Sequence, residues 1–309
     1  MNGAPAPAVT PVRPRTRISG VSVSLAPALR RVALVSTIAA AAALSLAACS
    51  GSAASAPSAG ADATGAALQT VTAGKLTIAT GDPDYEPWFV DNEPSNGKGF
   101  EGAVAHAVAA ELGFSDKQIV WTRTGFDAAI APGPKDWDLN IQQFSISEDR
   151  KKAVDFSSSY YTTTQAVVAA KGTPAASATS IADLKKAKVG VATGTTSYTV
   201  AKAQLGTGDL SVFNSVDDVV QALKGGQIDA MITDLPGAFY VTAAQLENAA
   251  VVGQFADDKG GDQFAFVLPK NSSLTPAVTK AVDALQKNGT IAELQKKWLS
   301  EAVNVPVLK

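Results

Sequence analysis

From Lys75 to Leu299 the chain alternates short apolar runs with longer segments whose apolar residues recur at helical spacing. The apolar runs predict strands at 75–79, 118–121, 139–144, 164–170, 189–192, 210–214 and 228–233, with two more near 250–252 and 264–268. Between them the spacing predicts helices near 101–112, 126–131, 181–186, 197–205, 216–224 and 237–246, then two closing helices at 275–287 and 290–299. Regular alternation with short connections argues for an α/β architecture with largely parallel sheets.

The half beginning near Lys171 repeats the order of the first: strand, polar loop, helix, then a strand ending in a charged residue. Two lobes are therefore expected, 74–163 plus 262–302 and 164–261, with 303–309 as a C-terminal tail. A chain leaving one lobe near Thr162–Gln165 and returning near 258–263 has two hinge strands, a topology suited to a cleft that closes on a ligand.

The ends add a location. Arg13, Arg15, Arg17, Arg30 and Arg31 precede an Ala-rich apolar stretch from Val32 to Leu46, and Leu46-Ala47-Ala48-Cys49 closes it. Residues 1–48 read as a signal peptide. Cys49 is the only cysteine, so no disulfide forms within the chain. Leu-Ala-Ala-Cys resembles a bacterial lipobox, which implies cleavage before Cys49 and a lipid on its sulfur. Residues 49–73, rich in Gly, Ala, Ser and Thr, read as a flexible tether. Without 1–48, 21 basic side chains face 28 acidic ones, a net charge of −7. That balance argues against nucleic acid as a partner.

Three segments carry candidate chemistry. Ser145-Ile146-Ser147-Glu148-Asp149-Arg150 follows a strand and opens a short helix with Ser147 as N-cap. Arg150 there is either a solvated first-turn residue or a planar fork for a carboxylate. Val189–Ala192 runs into Thr193-Gly194-Thr195-Thr196-Ser197, which is either an ordinary capped helix or an anion-binding loop. Its glycines fit neither nucleotide-binding spacing. Asp234 ends a buried-type strand, where open α/β folds place ligand contacts; it either meets a cationic amine or caps the helix from Pro236. Tyr85, Trp88, Phe89 and Phe126 are core aromatics or walls for a small molecule.

With these segments in view, most of the chain from Lys75 to Ser300 resembles the family 3 extracellular solute-binding proteins. The resemblance rests on KLTIATGDPDYEPW, GFEGAVAHAVAAELG, GFDAAI, DLNIQQFSISEDRKKAVDFSSSYY, VGVATGTTSY, ALKGGQIDAMITD and NGTIAELQKKWL in that order. It implies a type II periplasmic-binding-protein-like fold, two α/β lobes joined by two hinge strands. It also implies a lipid-anchored extracytoplasmic receptor that hands an amino acid to an ABC permease, works as a monomer and needs no cofactor. By the same resemblance Arg150 clasps the α-carboxylate with Ser145 and the groups around Thr195 and Thr196. Asp234 takes the α-ammonium, Tyr85 and Phe126 sandwich the side chain with Trp88 nearby, and Asp82 sits near a position that meets a cationic end; Gln143, with Gln142, is a departure whose amide either intrudes on the pocket or reads a polar side chain. The chain departs from the family at Gly99-Phe100-Glu101-Gly102-Ala103, where Gly-Phe-Asp-Val-Asp is usual, and at Gln142-Gln143, where smaller residues are common.

The competing reading is an enzyme on the same fold, similar to cyclohexadienyl dehydratase. The single histidine, His106, lies among Ala and Val and reads as packing or surface. Glu86 and Glu101 are the carboxylic acids such chemistry would call on.

Overall fold

The computed structural model describes residues 68–206, 210–256, 261–299 and 305–309. Residues 1–48, read as a signal peptide, Cys49 and the stretch read as a tether as far as residue 67 lie outside them. Of the stretch read as a tether, 68–73 is tied to the fold: Leu68 packs on the first core and Val71 N–H donates to Asp138 at 2.7 Å. The same carboxylate takes Thr77 N–H at 2.8 Å, so one buried Asp fastens the start of the fold to its first strand.

Lobe 1 begins with β1 (Leu76–Thr80), α1 (Phe100–Glu111), β2 (Ile119–Arg123), α2 (Phe126–Ile130), β3 (Leu139–Asn140), α3 (Glu148–Lys151) and β4 (Val154–Thr163). Lobe 2 follows with β5 (Gln165–Ala170), α4 (Ile181–Leu184), β6 (Val189–Ala192), α5 (Thr196–Leu205), β7 (Leu210–Phe213), α6 (Val216–Lys224), β8 (Ala230–Asp234), α7 (Leu235–Tyr240) and β9 (Ala249–Phe255). The chain returns to lobe 1 for β10 (Asp262–Pro269), α8 (Thr275–Lys287) and α9 (Thr290–Trp298), and β11 (Val307–Leu308) closes it.

The sheets are mixed, not largely parallel. In lobe 1 the order is β2-β1-β3-β10-β4, with β1 parallel to β2 and β3 and β10 antiparallel to β3 and β4. In lobe 2 the order is β11-β9-β5-β8-β6-β7, and β5 runs antiparallel to both neighbours. The antiparallel strands, β4 with β10 and β5 with β9, are those on either side of the lobe crossings. They were under-read because Val154–Thr163 mixes Ser, Tyr and Thr. The stretch read as a tail ends in β11, which pairs with β9 and buries Leu308 at 2% exposure.

Helix placement follows from which side chains need cover. Val278, Ala281, Val282 and Leu285 form one buried stripe of α8 at helical spacing. They join Val104 and Val108 of α1 over Leu76, Ile78, Phe264 and Phe266 of the sheet. The opposite face holds Trp137, Phe144, Val154 and Val267. Lobe 2 has a core on each face of its sheet, one under α6 and α7, the other under α4 and α5. The turn into α1 demands glycine at 99. Its φ is +87°, and a Cβ there would lie 2.3 Å from the carbonyl oxygen of Trp88. Among the described residues no helix is long and apolar enough to cross a membrane.

Candidate functional site

The parallel strands of both lobes point their carboxyl ends at one cleft of about 460 Å³. The loop after β1 brings Asp82, Asp84 and Tyr85; that after β2 brings Phe126 and Asp127; that after β3 brings Gln142, Gln143 and Ser145. From lobe 2 come Thr195 and Thr196 after β6, Asn214 and Asp217 after β7, and Asp234 at the end of β8. A strand's carboxyl end is where an α/β chain leaves the sheet and loop side chains are free to converge.

Arg150 lies on α3, whose N-cap Ser147 accepts the Arg150 N–H at 3.2 Å. Its guanidinium is buried at 9% exposure and sits 5.3 Å from the centre of the Phe126 ring, which stacks on Phe144 at 4.7 Å. It donates to Ser145 O at 2.6 Å and, across the cleft, to Gly194 O at 2.9 Å. Among the described residues no carboxylate lies within ion-pair distance of it. Burial pushes its pKa down, while Asp262, Asp234 and Asp127 at longer range push it up. A desolvated fork with spare N–H groups and no carboxylate is suited to an anionic ligand group.

Asp234 stands at the N-cap position of α7, but its side chain does not cap that helix. It accepts from Gln165 Nε2 at 2.6 Å, and the same amide nitrogen donates to Asp262 at 2.5 Å. Burial, with Asp262 close by, pushes the Asp234 carboxyl up to about 8. Thr196 donates to Asp262 at 2.8 Å and meets the Ser145 hydroxyl at 3.3 Å. Thr195 caps α5, accepting Tyr198 N–H at 3.1 Å, so its hydroxyl serves the helix.

Tyr85 of lobe 1 donates to the Asp217 carboxylate of lobe 2 at 2.6 Å, a residue sequence reasoning passed over as a first-turn acid of α6. Asp84, also missed, is buried and accepts from Thr80 at 2.8 Å and from Arg123 at 2.5 Å. Burial outweighs these partners and raises it to about 6. Asp82 and Asp127 line the cleft with no hydrogen-bond partner for their carboxylates among the described residues. The signal for these residues was positional, since each lies just past a parallel strand.

Trp88 is the exception among the aromatic walls. Its ring is 5% exposed and packs on Phe100, Tyr161 and Phe264 in the lobe 1 core. It borders only a smaller recess of about 120 Å³ beside the cleft. The predicted strand 139–144 also stops at Asn140, because Gln143 takes a φ of +49°.

Two α/β lobes whose strand ends deliver opposite charges to a shared cleft define a two-lobed solute receptor. The chain belongs to the bacterial extracellular solute-binding proteins, family 3, whose family model matches residues 76–301. The arginine-binding extracellular protein ArtP of Bacillus subtilis is 30% identical over 246 residues, 77% of this chain and 92% of its own. Among solved structures, an ancestral arginine-binding protein bound to arginine is 32% identical with a TM-score of 0.60, covering 74% of this chain and 99% of its own. The ancestral amino acid-binding protein AncCDT-1, described as a precursor of cyclohexadienyl dehydratase, is 29% identical with a TM-score of 0.61, covering 74% and 96%.

Proposed function

We propose that the chain is an extracytoplasmic receptor for a cationic L-amino acid, with arginine as the reference ligand, which it delivers to an ABC importer. One observation carries this reading: among the described residues five aspartates, Asp82, Asp84, Asp127, Asp217 and Asp234, line the cleft against one cationic side chain, Arg150. An α-carboxylate on Arg150 and an α-ammonium on Asp234 use one charge of each sign. Asp84 is paired with Arg123. Asp82, Asp127 and Asp217 then remain to draw a second positive charge, and Tyr85 and Phe126 give its aliphatic stem an apolar wall. The arginine-binding names of the relatives point the same way.

The test is calorimetry of the purified full-length chain against the proteinogenic amino acids, with thermal melts alongside. Arginine, lysine or histidine is expected to bind most tightly, and arginine at one hundred times its dissociation constant to add about 2.7 kcal/mol of stability. Tighter binding of glutamate, aspartate or a neutral amino acid would overturn the cationic assignment.

The receptor reading, in place of catalysis, is supported by the position of His106. It contacts Asp116 at 2.9 Å and stacks on Trp121, and it does not line the cleft. Attachment to the cell membrane through a lipid on Cys49 completes the proposal and rests on the Leu46–Cys49 motif. A radiolabelled fatty acid is expected to enter the wild-type protein and not Cys49→Ser; equal labelling of both would refute the anchor.

A further inference from the structure

Gln143 lines the cleft in a backbone conformation that glutamine rarely takes, φ +49°. Behind it lies Glu101 of α1, one of the residues that depart from the usual family pattern, with an exposure of 0%. Glu101 Oε1 accepts the backbone N–H of Gln143 at 2.8 Å, and Oε2 accepts from Gln143 Nε2. The Tyr160 hydroxyl of β4 donates to Oε1 as well. An ionised carboxylate only accepts, so the end of the Gln143 amide facing it must be the NH₂. The carbonyl end is left over, and among the described residues no donor reaches its oxygen.

We propose that Glu101 is a positioning residue for ligand selection. By holding both N–H-bearing groups of Gln143, it turns that amide's oxygen to the cleft as an acceptor, so the wall favours ligands rich in N–H donors over isosteres that present an oxygen. The proposal rests on the cationic-ligand reading and adds the group that reads the ligand's hydrogen-bonding pattern, which Coulomb attraction alone leaves undetermined. A buried amide that offers the wrong partner to a ligand group discriminates more sharply than shape does. Glu101 is not itself among the residues that line the cleft and acts only through Gln143.

L-Arginine and L-citrulline, which differ by exchange of one guanidinium nitrogen for a carbonyl oxygen, are the probes. Burial raises the Glu101 carboxyl to about 7, so titrations run at pH 8.5, where it is ionised. The full-length wild type, Glu101→Gln, Gln143→Ala and the double variant are compared by calorimetry, with thermal melts to show folding. In Glu101→Gln the introduced amide N–H draws the Gln143 oxygen to itself and sends the NH₂ to the cleft. The preference for arginine over citrulline is expected to fall about tenfold in each single variant, and no further in the double. An unchanged preference in Glu101→Gln, or losses that multiply in the double variant, would overturn the proposal. Should Glu101→Gln fail to fold, Glu101→Asp takes its place, one methylene too short to reach both groups, with the same two outcomes. If the wild type binds glutamine and not arginine, the cationic reading fails separately. The same proteins titrated with glutamine then decide the link, because affinity losses that do not multiply uphold it and losses that multiply refute it.

Discussion

Arg150→Ala is expected to weaken arginine binding by roughly a thousandfold, about 4 kcal/mol, because it strands the ligand carboxylate in a desolvated cleft. The removed fork is buried and keeps N–H groups to spare after its bonds to Ser145 and Gly194. Arg150→Lys retains the charge but loses the planar pair of donors, so a loss of about tenfold is expected there. The two variants separate charge from geometry. Calorimetry returning wild-type affinity for Arg150→Ala would remove this residue from the site.

Asp234→Asn is expected to have the next largest effect, about a hundredfold at pH 8.5, and to change the pH profile as well. In the free protein the Asp234 carboxyl is pushed up to about 8 by burial and by Asp262. It must be ionised to hold an ammonium, so ligand binding below pH 8 expels a proton. Affinity for arginine therefore rises as pH increases, about tenfold per unit from 6 toward 8, and levels off above. Asn carries no proton to expel, so most of that slope disappears in the variant. Titrations in buffers of different ionisation enthalpy measure the released proton directly. Proton release unchanged by the substitution would assign the titration to another group.

Much of the molecule was legible because both main signals are local. β6, α6 and α8 fall on the residues that hydrophobic spacing assigned. What failed was long-range. Nothing within Val154–Thr163, where seven of ten residues are Ser, Tyr or Thr, announces a strand that pairs with β10, and the antiparallel direction of β5, β9 and β10, which were read as strands, was missed with it. Arg150, Asp234, Ser145, Thr196, Tyr85 and Phe126 were readable from motifs, and the structure brings them to one cleft. Asp217 and Asp127 were not, since a first-turn acid looks like ordinary dipole compensation until the opposite lobe supplies its surroundings. Of the two readings open for Trp88, the structure places its ring in the core, because an aromatic beside a ligand loop faces inward or outward by a rotation that one strand's pattern does not reveal. Glu101 is a buried carboxyl whose companions lie 42 and 59 residues further along the chain.

The pairing of β11 with β9 fixes where instruments can be attached. Leu68 packs on lobe 1, whereas Lys309 O accepts the N–H of Ile181 in lobe 2, so the first and last described residues sit on different lobes. A donor dye beside the former and an acceptor dye beside the latter would register the jaw angle with no label placed inside the mouth. A bulky fusion after Lys309 would instead weigh on lobe 2 through β11 and bias whatever it was meant to report.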